Sequence, residues 1–539
     1  AARRAPAAAA ARRRARARAR VRETHLRKNK NTPAGIINII MAFDNSNDAG
    51  LGDLPGPTGV HRAATIALGG GTPLDHTTQL AVVVEQDHRY DGSIRPTGGV
   101  VGDGPFEFIL SARPDQYLMM DKLHLEVKFK VLKSNGENVD PASDIVAPVN
   151  FFGLTMWEHV DITLNDQLIS SDSSSNAHYK AYIESVLSYD LNQVETTLGN
   201  LFANIDDAGK FDSFTVPTMD GDESFYANVI YRDQDEYMEV EGGERVLPAA
   251  AEEVMKQEVA KAQAHNSGYV ERYKKLMLNG GNVEVELITP IMGDFLRSLT
   301  YLAPNNKLAI KLFKARDPFM LLSGNTEAGY RIEFVDLKLH YAYLSLYDPS
   351  VPSAQRYVVP KTMLKKFPVA SGMTIFNFNI HHGGKFPSQI VIGQVTTAAS
   401  EGRYDKNPFH FRHFDLESVK LLVNGRSVPN EPLLDIDFTK NKYSRLYHHM
   451  LEHTGKFRRN HANIITKGRF KNGYTLLPFD LAPDLCHGAH VHESKIGDIE
   501  VQMAWRKALP EPITIIVYLN YDQVYLLDAN SGVLDIGTV

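Results

Sequence analysis

The sequence predicts an all-β fold that contains two copies of one β-rich domain. Residues 123–131 read LHLEVKFKV, in which apolar and polar side chains alternate strictly. Such alternation is typical of a strand in an antiparallel sheet that has one face buried and the other in water. Turn residues such as Asn165-Asp166 bound the strands, and Asn424-Gly425 is a strong signal for a two-residue hairpin.

Ten further segments have the pattern of strands, in alternation or as short apolar runs between turn residues. In chain order they are Phe106–Leu110, Val160–Leu164, Asn282–Leu287, Lys307–Phe313, Ile332–Leu346, Thr374–Asn379, Gln389–Val395, Val419–Val423, Ile499–Trp505 and Ile513–Leu519. Helical pattern is scarce and is clear only in Tyr179–Leu187, Tyr443–Leu451 and the charged stretch Ala249–Ala264.

The order of elements repeats along the chain at an offset of roughly 260 residues, which predicts a duplication. In each half a hairpin precedes a short helix, YKAYIESVL from Tyr179 and YSRLYHHML from Tyr443, and a long β-rich run ends the half. We therefore predict two domains joined by a linker, with further segments at both ends. The predicted boundaries are 1–30 for a basic arm, 31–104 for an extended lead-in, 105–346 for the first domain, 347–360 for the linker, 361–528 for the second domain and 529–539 for a C-terminal tail.

Charge is distributed unevenly along the 539 residues. Residues 1–30 contain ten Arg and two Lys against the single acid Glu23, whereas the whole chain carries a net charge of -6. So dense and low-complexity a basic segment has little to bury, and we expect it to be disordered unless a partner orders it. The candidate residues for contact with nucleic acid or an inner partner are Arg3, Arg4, Arg12, Arg13, Arg14, Arg16, Arg18, Arg20 and Arg22.

Several partners are compatible with this arm. Its twelve cations could neutralise on the order of ten phosphates without regard to base sequence. An anionic membrane surface or an acidic groove of another protein is an alternative. The composition also has features of an organellar transit peptide, although Ser is absent from it.

The first domain also carries a long insertion at about 190–282. Within it, residues 206–258 contain fifteen acids and four bases. This charge predicts a solvated loop that projects from the domain and contributes nothing to its core.

The sequence contains no constellation that we expect to be catalytic, to bind a cofactor or to hold a metal. Cys486 is the only cysteine, which excludes an intrachain disulfide and a multi-cysteine zinc site. Phosphate-loop and GxSxG motifs are absent, and His449 and His453 lack the glutamate of an HExxH site. Further residues that could bind metal, all without a recognised spacing, are His487, His490, His492, Asp220, Asp222 and Glu223. We also expect no bilayer-spanning segment and no secretory signal.

Several segments resemble the major capsid proteins of Polinton/Maverick elements and the related adintoviruses. In the second half these are FPSQIVIGQVTTAASEGRYDKNPFHFRHFDLESVKLLVNGRSV at 386–428, NGYTLLPFDLAPDL at 472–485 and LPEPITIIVYLNYDQVYLLD at 509–528. In the first half they are VNFFGLTMWEHVDITLNDQLIS at 149–170, YKAYIESVLSY at 179–189 and LAPNNKLAIKLFKARDPFML at 302–321. The resemblance extends over roughly residues 105–528, without the arm and without much of 190–280.

This resemblance implies a double jelly roll, two tandem eight-stranded antiparallel sandwiches with a few short helices and long loops. It implies a structural protein without enzymatic activity, located in the virion and made inside the host cell. Three chains would form a pseudo-hexagonal homotrimer, and trimers would tile an icosahedral shell around double-stranded DNA. The implied partners are neighbouring capsomers, penton and minor capsid proteins and, through the arm, genomic DNA or an inner membrane.

Two other functions are compatible with a chain of this kind. A carbohydrate-binding or carbohydrate-active double β-sandwich would need a groove lined with aromatic side chains, and an enzyme would also need paired carboxylates. Both tryptophans, Trp157 and Trp505, lie within strand-like apolar pattern. A cellular nucleic-acid-binding protein is supported by the arm alone and is disfavoured by the acidic remainder of the chain.

Overall fold

The structure is a computed structural model that describes sixteen stretches of the chain. They are 86–100, 102–140, 143–171, 176–216, 239–241, 244–246, 265–277, 284–298, 301–325, 327, 329–346, 354–457, 462–482, 485, 495–528 and 532–538. The predicted arm, the helix predicted at 249–264, most of the lead-in and most of the acidic insertion lie outside these residues.

Thirteen strands precede residue 347. They are β1 Gln86–Ile94, β2 Phe106–Leu110, β3 Gln116–Leu118, β4 His124–Lys133, β5 Val146–Pro148, β6 Trp157–Leu164, β7 Gln167–Ser171, β8 Glu239–Glu241, β9 Glu244–Val246, β10 Val285–Pro290, β11 Leu308–Lys314, β12 Leu321–Ser323 and β13 Tyr330–Leu346. Two four-stranded sheets, in the orders β1-β13-β4-β10 and β2-β11-β6-β7, form the first sandwich. The short strand β3 adds to β13, and β5 with β12 and β8 with β9 form separate pairs.

Nine strands follow. They are β14 Ala354–Val369, β15 Ile375–Lys385, β16 Gln389–Thr396, β17 Leu416–Val423, β18 Arg426–Leu433, β19 Leu476–Asp480, β20 Ile496–Trp505, β21 Ile513–Asp528 and β22 Gly532–Thr538. Their sheets have the orders β14-β21-β16-β19 and β15-β20-β17-β18, and β22 adds to β21.

The described helices are short. They are α1 Phe152–Thr155, α2 Ala177–Ser188, α3 Leu191–Thr196, α4 Ser267–Leu276, α5 Asp317–Met320, α6 Thr397–Glu401, α7 Ser444–His453 and α8 Lys467–Lys471, with 3-10 turns at Met120–Lys122, Gly199–Leu201 and Phe295–Arg297. In the described part of the chain, no helix has the length and apolar character needed to cross a membrane.

Both sandwiches have the same strand order, so the predicted duplication is confirmed. Counting the eight sandwich strands of each half in chain order, one sheet holds the first, eighth, third and sixth, and the other holds the second, seventh, fourth and fifth. This is the jelly-roll arrangement, and the predicted double jelly roll is correct. Helices α2 and α7 both lie between the fifth and sixth strands, as the repeated motifs predict.

The sequence analysis predicted no strand for several of the strands described, and three of these lie in or begin within the predicted lead-in, linker and tail. Strand β1 lies in the predicted lead-in, β14 begins within the predicted linker and β22 lies in the predicted tail. The sequence of β1, QDHRYDGSI, has no apolar alternation, and the strand is specified by its backbone pairing with β13. An edge strand with most of its side chains in water lacks the pattern on which strand prediction depends.

Burial explains why strands such as β4, β16 and β21 were predictable from the sequence. In β4, Leu125, Val127 and Phe129 are fully buried, whereas the alternate residues point outward. Strand β16 is buried at seven of its eight positions, and the apolar run of β21 from Ile513 to Leu519 is buried throughout. Such continuous burial requires a cover on both faces of the sheet. The inner face of this sheet packs against the core of the second jelly roll, and its outer face packs against the first jelly roll.

Strand registers define two ends of each jelly roll. Strand β1 begins opposite Leu346, the last residue of β13, and β14 begins opposite Asp528, the last residue of β21. We call this the terminal end. Since β4 and β10 are antiparallel to their neighbours, the loop after β4 and the insertion before β10 lie at the opposite end, which we call the loop end.

Candidate assembly surface

The arginines predicted to contact nucleic acid or an inner partner, Arg3 to Arg22, lie outside the described residues. The described chain instead reveals a contact between its two jelly rolls, formed by α2 and residues 294–298 and 301–303 of the first with β14, β21 and residues 407–411 of the second. We call this contact the internal interface.

Helix α2 is buried on all sides at the internal interface. Residues 177–187 are all buried. The ring of Tyr182 stacks on Phe409 with centroids 4.1 Å apart and planes inclined by 3°. Tyr179 meets Phe409 edge to face, and Lys366 of β14 lies over the Tyr179 ring. The second jelly roll therefore covers the face of α2 that the first jelly roll leaves open.

A buried charge cluster joins α2 to the last strand of the second jelly roll. Arg297 donates to Glu184 at 2.7 Å, and the Tyr518 hydroxyl donates to the same carboxylate oxygen at 2.8 Å. Burial raises the pKa of Tyr518 well above its ordinary value because the phenolate would lose its hydration. The hydroxyl therefore remains a donor, and the cluster links residues far apart in sequence.

A second cluster reaches the edge strand β14. Lys180 pairs with Asp294, and their side chains are only 1% and 6% exposed. The other oxygen of Asp294 accepts the Thr362 backbone N–H at 2.8 Å, while the Thr362 hydroxyl donates to this carboxylate at 3.2 Å. Asp294 thereby satisfies a backbone donor at the edge of a sheet, a group that is costly to bury without a partner.

The described ends of the insertion are buried, whereas the sequence predicted a solvated loop over residues 206–258. Arg272 of α4 donates to Asp206 at 2.7 Å, and both side chains are fully buried. The Asn407 side chain of the second jelly roll donates to the same carboxylate at 3.2 Å. Phe211 and Phe214 are buried as well. Net charge misled the prediction because these apolar and paired residues anchor the insertion from both sides.

Asp212 extends this anchor toward the second jelly roll. It accepts the Asn407 backbone N–H at 2.8 Å and contacts His410 Nδ1 at 2.9 Å. Burial alone would raise the pKa of Asp212, but the His410 and Asn407 contacts outweigh it and hold the pKa below its ordinary value. The carboxylate is thus kept charged where the insertion meets the second jelly roll.

The outer face of sheet β1-β13-β4-β10 carries a ladder of ion pairs. The pairs are Lys128–Glu286 at 2.8 Å, Lys130–Glu284 at 3.2 Å, Lys338–Glu126 at 2.8 Å and Arg95–Asp336 at 2.9 Å. The Arg95 guanidinium lowers the pKa of Asp336 to about 2 through their hydrogen bonds. This face is therefore exposed and charged, whereas the equivalent face of the second jelly roll is covered by the first.

Helix α7 shows the same contrast with α2. The two helices occupy equivalent places, but the side chains of Arg445, His448 and Glu452 on α7 are 52%, 47% and 46% exposed. His448 corresponds in the repeated motif to Glu184, which is buried in the internal interface. Inside the chain, α2 of the first jelly roll packs on the outer sheet face of the second. The equivalents of these two surfaces, α7 and the outer face of sheet β1-β13-β4-β10, are exposed.

The residues of the internal interface were missed by the sequence reasoning. Lys180 and Glu184 lie four residues apart in the otherwise apolar helix YKAYIESVL, a pattern that normally indicates a solvated stripe. The sequence signal that could have indicated burial of α2 is that this helix has fewer charged residues than α7.

The histidines that were considered as metal ligands have structural partners where they are described. His449 and His453 lie with ring centroids 3.8 Å apart, and His453 Nδ1 accepts the Asp480 N–H at 2.9 Å. Burial, together with the charge of a protonated neighbour, lowers the pKa of His449 to about 3. Among the described residues no group of three or more potential ligands is placed to hold a metal. Outside them lie Asp220, Asp222, Glu223, Cys486, His487, His490 and His492.

The two tryptophans are core residues. Trp157 and Trp505 are 4% and 2% exposed, and Trp505 donates to the Gln394 side chain at 2.9 Å. Neither tryptophan ring is available to stack on a sugar.

Comparison with known proteins agrees with this architecture. No family model matches the chain. An uncharacterized protein of Caenorhabditis elegans is 23% identical over 438 residues, which are 79% of this chain and 92% of that protein. A chain from the cryo-EM structure of the Sputnik virophage matches with a TM-score of 0.51 and 12% identity, covering 87% of this chain and 92% of its own. The mavirus major capsid protein matches with a TM-score of 0.47 and 11% identity, covering 87% and 95%.

Proposed function

We propose that this chain is a structural, non-enzymatic major capsid protein of the Polinton/adintovirus type. Three copies would form a pseudo-hexagonal trimer, and trimers would tile an icosahedral shell, with penton and minor capsid proteins, around the double-stranded DNA of a virus or virus-like element. The protein would be made in the host cell and located in the virion. The fold shared with a chain of the Sputnik virophage structure supports this proposal.

The observation that carries the proposal is the head-to-tail geometry of the internal interface. The outer sheet face of the second jelly roll receives α2 of the first. The corresponding sheet face of the first jelly roll and the corresponding helix α7 of the second remain exposed. A contact between two different surfaces, repeated from chain to chain, closes into a ring when its rotation permits. Six jelly rolls from three chains would complete a pseudo-hexagon.

We expect light scattering of the purified chain at low micromolar concentration to give a mass of about 180 kDa, three times the 60.1 kDa of one chain. Electron micrographs of the same sample should show triangular or hexagonal particles. A single species at the monomer mass would refute an obligate trimer. A dimer would contradict the capsid proposal itself, since two chains cannot complete the ring.

The two ends of the jelly rolls support an orientation in the shell. Residues preceding β1 join the first jelly roll at its terminal end, and the acidic insertion begins and finishes at the loop end. The basic arm thus precedes the strand that begins at the terminal end, whereas the acidic insertion is connected to the loop end. We place the terminal end and the basic arm toward the genome or an inner membrane, and the insertion on the outer surface.

Deleting residues 1–30 should change the melting temperature of the trimer by less than about 2 °C, because so charged a segment cannot contribute to a core. Assembly of shells or binding of an inner partner should be impaired. A variant with the nine candidate arginines changed to lysine keeps the charge and should assemble. A large loss of thermal stability in the deletion variant would contradict this role.

DNA-binding measurements on the isolated trimer distinguish DNA from a membrane as the inner partner of the arm. If the arm binds DNA, the affinity should fall steeply with salt and show no dependence on base sequence. Vesicles containing anionic lipid provide the comparison, and stronger binding to vesicles than to DNA would assign the arm to a membrane.

A further inference from the structure

Three basic side chains lie together where α2 meets the second jelly roll. His178 is the second residue of α2, Arg316 directly precedes α5, and Lys366 lies on the edge strand β14. Burial and the nearby charges of Lys366 and Arg316 hold the pKa of His178 well below its ordinary value. We call these three residues the basic cluster.

The imidazole of His178 is buried and lacks a hydrogen-bond partner. The residue is 4% exposed, and neither ring nitrogen has a partner in the part of the chain that the structure describes. Its ring neighbours are aromatic, with centroid distances of 4.0 Å to Phe319 and 4.9 Å to Tyr179. A neutral imidazole carries one N–H donor, and a buried donor without an acceptor is costly. The site therefore lacks an acceptor for His178.

The two cations of the cluster have no carboxylate partner among the described residues. Lys366 is half-buried, with its ammonium 5.1 Å from the centroid of the Tyr179 ring. Arg316 donates to the backbone carbonyl of Glu401, at the end of α6. The charge of Glu158 acts on Lys366, but the two side chains form no ion pair. Both cations therefore retain donors for a further ligand.

Other cations of the internal interface are neutralised by partners within the chain. Lys180 pairs with Asp294, and Arg297 pairs with Glu184. Lys366 has no such partner, and its burial lowers its pKa because the charged form loses hydration. A positive charge in this position is stabilised by an anion that supplies the missing counter-charge.

The start of α2 adds a further attraction for an anion. The first N–H groups of a helix have no acceptor within the helix and carry partial positive charge. His178 lies in this first turn of a helix of twelve residues. The two jelly rolls meet here at backbone distance, since a Cβ on Gly402, which follows α6, would lie 3.1 Å from the backbone nitrogen of Phe319. So close a junction suits a small ligand.

A tetrahedral oxyanion such as phosphate matches these donors. It accepts charge-assisted hydrogen bonds from guanidinium and ammonium groups and also binds at helix N-termini. Lys366 is three residues from Val369, where β14 ends, and twelve residues from Ala354, where β14 begins at the terminal end. The cluster is thus remote from the end at which the basic arm joins the fold, which favours a small free anion over nucleic acid.

We propose that His178, Arg316 and Lys366 bind a small phosphate-like oxyanion at the internal interface. His178 and Arg316 belong to the first jelly roll and Lys366 belongs to the second, so the anion is shared between them. Its binding stabilises the contact of the two jelly rolls within one chain. The inference is independent of the proposed trimer.

Calorimetric titration of the full-length protein with inorganic phosphate, in chloride buffer of constant ionic strength, tests the site. The wild type should bind one phosphate per chain. Lys366→Met and Arg316→Gln should each raise the dissociation constant at least about tenfold, since each removes a charge-assisted hydrogen bond. His178→Phe keeps an aromatic ring beside Phe319 but has no ring nitrogen, and should also weaken binding. Lys420→Met is the matched control, because Lys420 is a half-buried cation in the other sheet of the second jelly roll.

Thermal unfolding supplies a second measurement. Low-millimolar phosphate should raise the melting temperature of the wild type and of Lys420→Met, because a ligand of the folded state stabilises it by mass action. The melting temperature of Lys366→Met should not respond. The concentration is kept low because concentrated phosphate stabilises proteins in general by exclusion from their surface.

Three results would overturn the assignment. They are a wild type that binds no phosphate, a wild-type affinity in Lys366→Met or Arg316→Gln, and competition of double-stranded DNA with phosphate for the cluster. Since each measurement concerns a site within one chain, failure here leaves the trimer to be decided by light scattering. Circular dichroism of each variant checks that the fold is retained.

Discussion

Replacing Arg272 with alanine should lower the free energy of unfolding by about 3 to 5 kcal/mol, because it leaves a buried charge without its partner. The guanidinium is fully buried and donates to Asp206 at 2.7 Å and to the Pro148 carbonyl at 2.8 Å. Asp206 also accepts from the side chains of Asn266 and Asn407. Loss of the cation therefore affects the first jelly roll, the insertion and the second jelly roll together.

Thermal unfolding at a fixed protein concentration measures this effect. Lys274→Ala on the same helix is the matched control, since Lys274 pairs with Glu271 at an exposed site where ion pairs contribute roughly 0 to 1 kcal/mol. Equal melting temperatures for Arg272→Ala and Lys274→Ala would contradict the role assigned to the buried cluster.

Lys180→Met should also be severely destabilising, by about 3 to 5 kcal/mol, because it leaves Asp294 charged in the internal interface without its cation. The Asp294 side chain is 6% exposed. It would retain the contacts from Thr362 and a weaker electrostatic interaction with Arg297. We expect the jelly rolls to separate or to repack at this point before either sandwich unfolds.

The double variant Lys180→Met/Asp294→Asn provides the control for this prediction. It removes both charges while an amide oxygen can still accept the Thr362 N–H. It should recover most of the stability lost in the single variant, because replacing a buried ion pair by neutral groups is often close to neutral. A double variant as unstable as the sum of the two single variants would show that the pair is not energetically coupled.

The fold could be predicted largely from local sequence pattern. The alternation in LHLEVKFKV identified β4, and the two repeated helix motifs identified the duplication that the strand order confirms. Strand β1 could not be found in this way, since its partner β13 and not its side chains fixes it. Buried strands such as β16 were recognisable as apolar runs, but a run does not reveal what covers its second face.

The candidate assembly surface was much less predictable. The twelve cations of the arm form a dense run that is recognisable in the sequence. Lys180, Glu184 and Arg272 are isolated charges within ordinary helices and give no such signal. What makes them important is that groups from distant segments bury them, such as Tyr518 on Glu184. Contacts of this kind depend on how two domains dock, and no local period of the sequence encodes that.

The internal interface also has a consequence for protein synthesis. Tyr518, which completes the Glu184–Arg297 cluster, lies in the last of the sixteen sandwich strands. At bacterial to eukaryotic elongation rates, a ribosome needs roughly 10 to 40 seconds to travel from Arg297 to Tyr518. Until Phe409 and Phe411 are translated, about halfway through that interval, the nascent first jelly roll displays Tyr179 and Tyr182 without the rings that cover them. The first half of the chain is therefore a natural client for chaperones until its own second half arrives.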